Sequence, residues 1–196
     1  MKSKALEELS EQVRNCSLCL LHRNRNLPVF GQGAPDSPIM LVGEGPGADE
    51  DLQGIPFVGR AGPLLDKILL ACNFTREKHV YITNIVKCRP PGNRNPEIPE
   101  MAACLPYLEQ QIELINPKIV VAMGATALKG LLGGNLKITR ERGYWHLWMN
   151  RYLMPTYHPA AMLRNPNLKK DAWEDFKEVI RKYRTEVETG HVCRYV

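Results

Sequence analysis

The sequence predicts an α/β protein with a mostly parallel sheet and helices on both faces. Three observations carry that prediction: short apolar runs that end in glycine or a polar loop, helix-period segments between them, and ligand-type residues where the runs end. The chain has 196 residues and is 44% hydrophobic, enough for one good core, and no Ser/Gly-rich linker, internal repeat or low-complexity tract divides it. One domain is expected over residues 1–196.

Leu6, Leu9 and Val13 share one face of an opening helix that ends before Cys16, and residues 39–42 form the first buried strand. Leu64, Leu65, Ile68 and Leu69 repeat at helical spacing, and residues 79–86 read as a second strand. A third, residues 118–123, is introduced by Asn116-Pro117 and closed by Gly124. A short helix through Ala127 and Leu131 follows. Residues 144–148 and 152–154 are strand-like, and an amphipathic helix around Trp173, Phe176, Val179 and Ile180 closes the pattern. The strand ends at Gly43, Lys87 and Gly124 then lie along one edge of the sheet, where such folds place ligands.

Charge and hydropathy narrow the class. Against 21 Asp+Glu stand 26 Lys+Arg, a net +5 that suits a polyanionic partner, although proteins without one carry similar charge. The N-terminus lacks the apolar run of a signal peptide and no stretch reaches membrane-spanning length, so a soluble cytoplasmic protein is expected.

Three constellations carry chemistry. The first is Gly43-Glu44-Gly45-Pro46-Gly47, followed by Glu50, Asp51 and Phe57 in a loop that joins main-chain access, carboxylates and a stacking face. Gly43-x-Gly45-x-x-Ala48 formally fits a dinucleotide fingerprint, but Pro46 and the missing acidic strand end count against it, and no Walker loop is present. The second is cysteine. Cys16 and Cys19 form a Cys-x-x-Cys pair, while Cys88 and Cys104 flank a Pro-rich loop; four thiolates make a closed site for zinc or for an iron–sulfur cluster, and spacing does not separate the two. A cytosolic setting counts against disulfides. Cys72 reads as a core residue and Cys193 as an unpaired tail thiol. The third is His158, held between a strand and Pro159 on restricted backbone. His22, His79, His146 and His191 have no comparable context.

Taken together, the Gly43–Gly47 motif with Phe57, Asn84 in Tyr81-Ile-Thr-Asn-Ile-Val-Lys-Cys-Arg-Pro-Pro91, His158-Pro-Ala-Ala-Met-Leu-Arg-Asn-Pro166 and the spaced cysteines resemble family 4 uracil-DNA glycosylases, the iron–sulfur type of bacteria and archaea. The resemblance spans about residues 16–184. It implies a three-layer α/β/α fold around a four-stranded, mostly parallel sheet and a [4Fe–4S] cluster on Cys16, Cys19, Cys88 and Cys104. The implied protein is a prokaryotic, cytoplasmic monomer. Its implied activity is hydrolysis of the bond between uracil and deoxyribose in single- or double-stranded DNA, leaving an abasic site for base excision repair.

It also implies roles. Gly45, Phe57, Asn84 and His158 would bind the flipped uracil: Phe57 by stacking, Asn84 by accepting from N3–H and donating to O4, His158 by donating to O2 as charge builds there. Glu50, beside Gly47, would wall off the thymine methyl. Glu44 would position water or stabilise the sugar cation, since the place of a general base in a related family falls at Gly45. Leu163 and Arg164 would fill the gap left by the base and grip the backbone, with Arg89 and Arg94 as phosphate contacts. Two alternatives stand beside turnover: a non-catalytic iron–sulfur or zinc DNA-binding module, and a relative that traps uracil-DNA covalently through a histidine in an inserted basic loop. The triplet Phe57, Asn84 and His158 argues against the first, and the histidine-free stretch 136–143 against the second.

Overall fold

The computed structural model describes residues 1–196. Helix α1 (Lys2–Arg14) turns Leu6, Leu9 and Val13 inward. Strand β1 (Ile39–Gly43) leads to α2 (Ala48–Gln53) and α3 (Gly62–Ala71), then β2 (Val80–Asn84), α4 (Ile98–Ile115) and β3 (Ile119–Met123). After β3 come α5 (Ala125–Leu132), α6 (Ile138–Glu141), β4 (His146–Trp148), β5 (Arg151–Thr156), α7 (Pro159–Arg164) and α8 (Leu168–Glu186).

Strands β1, β2 and β3 are buried at every position, which is why they read as continuous apolar runs. Successive side chains point to opposite faces. Ile39 and Leu41 pack with Leu65 and Leu69 of α3 and Phe176 and Ile180 of α8. Met40 and Val42 pack with Leu6 of α1, Leu108 and Ile112 of α4 and Ala127 of α5. The result is three layers, helices on a sheet on helices. Each fully buried Leu or Ile contributes roughly 1.5–3 kcal/mol from burial.

The sheet has five strands rather than the four expected, in the order β2-β1-β3-β5-β4. All pairings are parallel except β4 with β5. The extra strand comes from a tight hairpin in which both turn residues, Met149 and Asn150, have positive φ (48° and 57°). That geometry matches the twist of an antiparallel pair and adds a short edge strand. Strand β2 also stops at Asn84, short of the expected end, while Ile85 and Val86 stay bonded to Gly43 O and Glu44 O of the neighbouring loop. Because β2, β1, β3 and β5 run parallel, their C-terminal ends meet at one edge, bringing Gly43, Asn84, Gly124 and His158 together.

The tail after α8 is pinned by side chains. His191 donates Nε2–H to Cys72 O (2.9 Å) and stacks on Phe74, and Cys193 donates to Ala71 O (3.3 Å). His79 Nδ1 accepts from Thr75 N–H (3.0 Å), which puts the ring proton on Nε2. His79, Glu188 and His191 therefore meet as hydrogen-bonding groups of this tail contact, with His79 presenting a proton instead of a lone pair for a metal. No helix is long and apolar enough to cross a membrane.

Candidate active site and cysteine centre

At the C-terminal edge of the sheet lies a cleft of about 740 Å³, within the size range of a small-molecule site. Its walls include Glu44, Glu50, Phe57, Asn84, Thr126 and His158. Glycine at 43 makes the centre of this arrangement possible. A Cβ there would stand 2.4 Å from Asn84 Oδ1 and 2.9 Å from Phe57 Cζ.

Asn84, the last residue of β2, is 2% exposed, and its Oδ1 is buried with no hydrogen-bond donor. A buried acceptor left alone costs about 1–3 kcal/mol. Phe57 and His158 pack with ring centroids 5.4 Å apart. His158 caps α7: its Nδ1 accepts from Ala160 N–H at 3.1 Å. The ring proton is therefore on Nε2, and burial, with Arg164 adding a smaller effect, pushes the pKa down to about 4. The residue is a neutral hydrogen-bond donor at ordinary pH. Gly124 (φ +95) allows this approach, since a Cβ on it would lie 3.0 Å from His158 Cβ.

The carboxylates differ in their surroundings. Glu50 sits on α2, not in an open loop, and its carboxylate accepts from Gly47 N–H (3.1 Å), Val58 N–H (3.1 Å) and Gly59 N–H (2.8 Å). It ties the ends of the 47–59 segment together, and a Cβ on Gly47 would come within 2.6 Å of Oε2. Glu44 accepts a short hydrogen bond from the Thr126 hydroxyl in the first turn of α5, which leaves its second oxygen for a ligand.

Leu163 and Arg164 occupy the exposed last turn of α7 at the cleft wall. Arg89 does not reach the cleft; its Nε–H donates to Asn93 Oδ1 (2.7 Å), and Asn93 does. Arg94 is held by a two-pronged pair with Glu100 (2.8 and 2.7 Å).

The four cysteines singled out by spacing line one small cavity, with Arg25 and Lys87 beside them. Arg25 Nη1–H donates to Cys88 Sγ at 2.9 Å and Lys87 N–H donates to Cys104 Sγ at 3.3 Å. Burial pushes the Cys104 thiol up to about 11, so at neutral pH a cation must displace its proton to bind the sulfur. Four convergent sulfurs with N–H donors on two of them fit a Cys₄-ligated metal or cluster. Cys72 and Cys193 lie elsewhere, against the tail.

The structure thus brings Glu44, Gly45, Glu50, Phe57, Asn84, His158, Leu163 and Arg164 to one cleft. Sequence reasoning missed Thr126, whose only signal was its place just past the Gly124 strand end, and Arg25, which had none.

A family model described as the uracil DNA glycosylase superfamily matches residues 30–177. The Type-4 uracil-DNA glycosylase of Sulfurisphaera tokodaii is 45% identical over 183 residues, 89% of this chain and 83% of that protein. Its counterpart in Thermotoga maritima is 46% identical over 181 residues, 90% and 94% of the two chains, and that of Saccharolobus solfataricus 43% over 183 residues, 89% and 84%. With a matched segment that includes the cleft's Glu44, Asn84 and His158, the chain belongs to the uracil DNA glycosylase superfamily.

Proposed function

We propose that this chain hydrolyses the N-glycosidic bond of deoxyuridine flipped out of DNA, releasing uracil and leaving an abasic site. The observation that carries the reading is the meeting of Asn84, Phe57 and a His158 ring that carries its proton on Nε2 at one cleft. Uracil presents N3–H to an acceptor and O4 to a donor; cytosine presents the reverse at both atoms. An amide held with Oδ1 toward N3 selects uracil.

Flipping costs a few kcal/mol, least for a mispaired or single-stranded base, and stacking on Phe57 returns ~1–3 kcal/mol. Glu50 and Gly47 set the wall near C5, where a thymine methyl meets a carboxylate anchored by three N–H groups. As the bond from N1 to the sugar C1′ breaks, its electron pair moves into the ring, and the neutral His158 Nε2–H hydrogen-bonds the charge at O2. Water adds to C1′ and its released proton neutralises the departing uracil anion; Glu44, anchored by Thr126, orients that water or stabilises the sugar cation. Leu163 fills the space left by the base, Arg164 contacts the backbone, and Arg89 acts through Asn93.

Cys16, Cys19, Cys88 and Cys104 would hold a [4Fe–4S] cluster, whose contribution is to tie the N-terminal arm to the 89–99 loop. The protein is read as one domain over residues 1–196, a monomer of the prokaryotic cytoplasm. The test is base release from a labelled oligonucleotide with one deoxyuridine, followed by alkaline scission, with thymine and cytosine controls. Cleavage only at uracil, largely lost in His158→Ala and relaxed toward cytosine in Asn84→Asp, supports the reading. A covalent protein–DNA adduct without free uracil would replace turnover by trapping.

A further inference from the structure

Phe57 lines the cleft with a backbone φ of +53°. A bulky residue in that region is strained by roughly 1–2 kcal/mol and persists only where its surroundings hold it. Two groups do so. Gly62, at the start of α3, lies so close that a Cβ on it would stand 2.2 Å from Phe57 O. Arg76, in the turn before β2, donates Nη2–H to Phe57 O at 2.9 Å and Nη1–H to Pro56 O at 3.1 Å. Its Nε–H donates to Asp66 of α3 at 2.8 Å. The Arg76 side chain is 17% exposed and does not itself line the cleft.

We propose that Arg76 is a positioning residue for the stacking platform: its guanidinium fastens two successive carbonyls of the strained turn to α3 and fixes the Phe57 ring before a base arrives. The planar fork suits this task, because it offers several N–H donors in fixed directions, whereas an ammonium is a single point on a flexible stem. Without the grip the turn relaxes toward negative φ and carries the ring away from His158. Each entry of a flipped base into the cleft then bears the ordering cost, while contacts to the DNA backbone are untouched. The inference rests on the stacking role given to Phe57 above.

The test is a double-mutant cycle on single-turnover uracil release, with DNA binding and thermal midpoint measured for each variant. Arg76→Lys keeps the charge beside Asp66 but loses the fork, and it remains informative where Arg76→Met folds poorly. The expected result is a loss of about tenfold in the rate with DNA affinity unchanged, within the range that base stacking supplies. In the Phe57→Ala background the same Arg76→Lys change should add less than about twofold, since the platform it positions is gone. Equal losses with and without Phe57, or a rate unchanged in both Arg76 variants, overturn the positioning role. A wild-type rate in Phe57→Ala alone overturns the stacking role, and the positioning role with it.

Discussion

Replacing Gly43 by alanine adds one methyl group at the most crowded point of the cleft, and the structure sets the size of the effect. The new Cβ would stand 2.4 Å from Asn84 Oδ1 and 2.9 and 3.0 Å from Phe57 Cζ and Cε2. Ordinary contact begins near ~3.5 Å, so the amide must retreat by about 1 Å. Asn84 is 2% exposed and ends a strand paired with β1 residue by residue, so it has little room to retreat without turning its amide or moving the ring. A misplacement of about 1 Å in a reacting geometry costs on the order of 10²-fold in rate. Backbone strain does not enter, because Gly43 lies in a strand that any residue can occupy; overpacking costs about 1–3 kcal/mol of stability. Gly43→Ala should therefore fold, keep its DNA affinity, and lose about a hundredfold in single-turnover release of uracil. A rate within about threefold of wild type in a folded variant would refute the claim that Gly43 exists to let Asn84 and Phe57 meet the base.

Other outcomes follow from the same geometry. Thr126→Val removes the one side-chain hydrogen bond on Glu44 and should lower uracil release about tenfold, with Thr126→Ser restoring it, since a bond to a charged group is worth roughly 1.5–3 kcal/mol. The acid limb of the rate profile should lie near pH 4 and not near 6.5, because His158 stays neutral until its folded pKa of about 4; an imidazole-dependent limb at 6.5, absent from His158→Gln, would contradict this. In stability the sign is the same. The unfolded histidine takes up a proton near pH 6.5 and the folded one only near 4, so its contribution is present above 6.5 and is lost as pH falls through about 4. The proposed cluster on Cys16, Cys19, Cys88 and Cys104 predicts that Cys104→Ser loses iron and visible absorbance together, read by metal analysis against the unsubstituted protein. Asp175→Asn breaks a buried pair with Arg142 (2.5 Å) that Thr156 also supports (2.7 Å), and denaturant unfolding should show a loss of about 3 kcal/mol.

How much was legible in the sequence depended on whether a residue's role was local. β1, β2 and β3 were readable because strands buried on both faces must be apolar throughout. β4 was readable as an extended stretch but not as a fifth member of the sheet, since two positive-φ turn residues, neither of them glycine, make the hairpin. α4 was missed because Pro99 and Pro106 argue against a helix, although Pro99 sits in its first turn, where a missing N–H costs nothing. The cleft divides in the same way. Asn84, expected inside a longer second strand, came from the resemblance alone, which also supplies its expected role and those of Glu44 and His158, whereas the latter two announce themselves by lying just past strand ends. Their partners do not: Thr126 lies 82 positions from Glu44 and Arg76 lies 19 from Phe57, separations that no short motif spans. What the chain's motifs cannot convey is why each group has one orientation. His158 presents Nε2–H because Ala160 N–H claims Nδ1, and Glu50 keeps one position because three main-chain N–H groups immobilise it. Selectivity for a base that differs from its neighbours by one methyl or one exchanged donor needs such immobility, because a side chain free to rotate would accept the wrong partner at little cost.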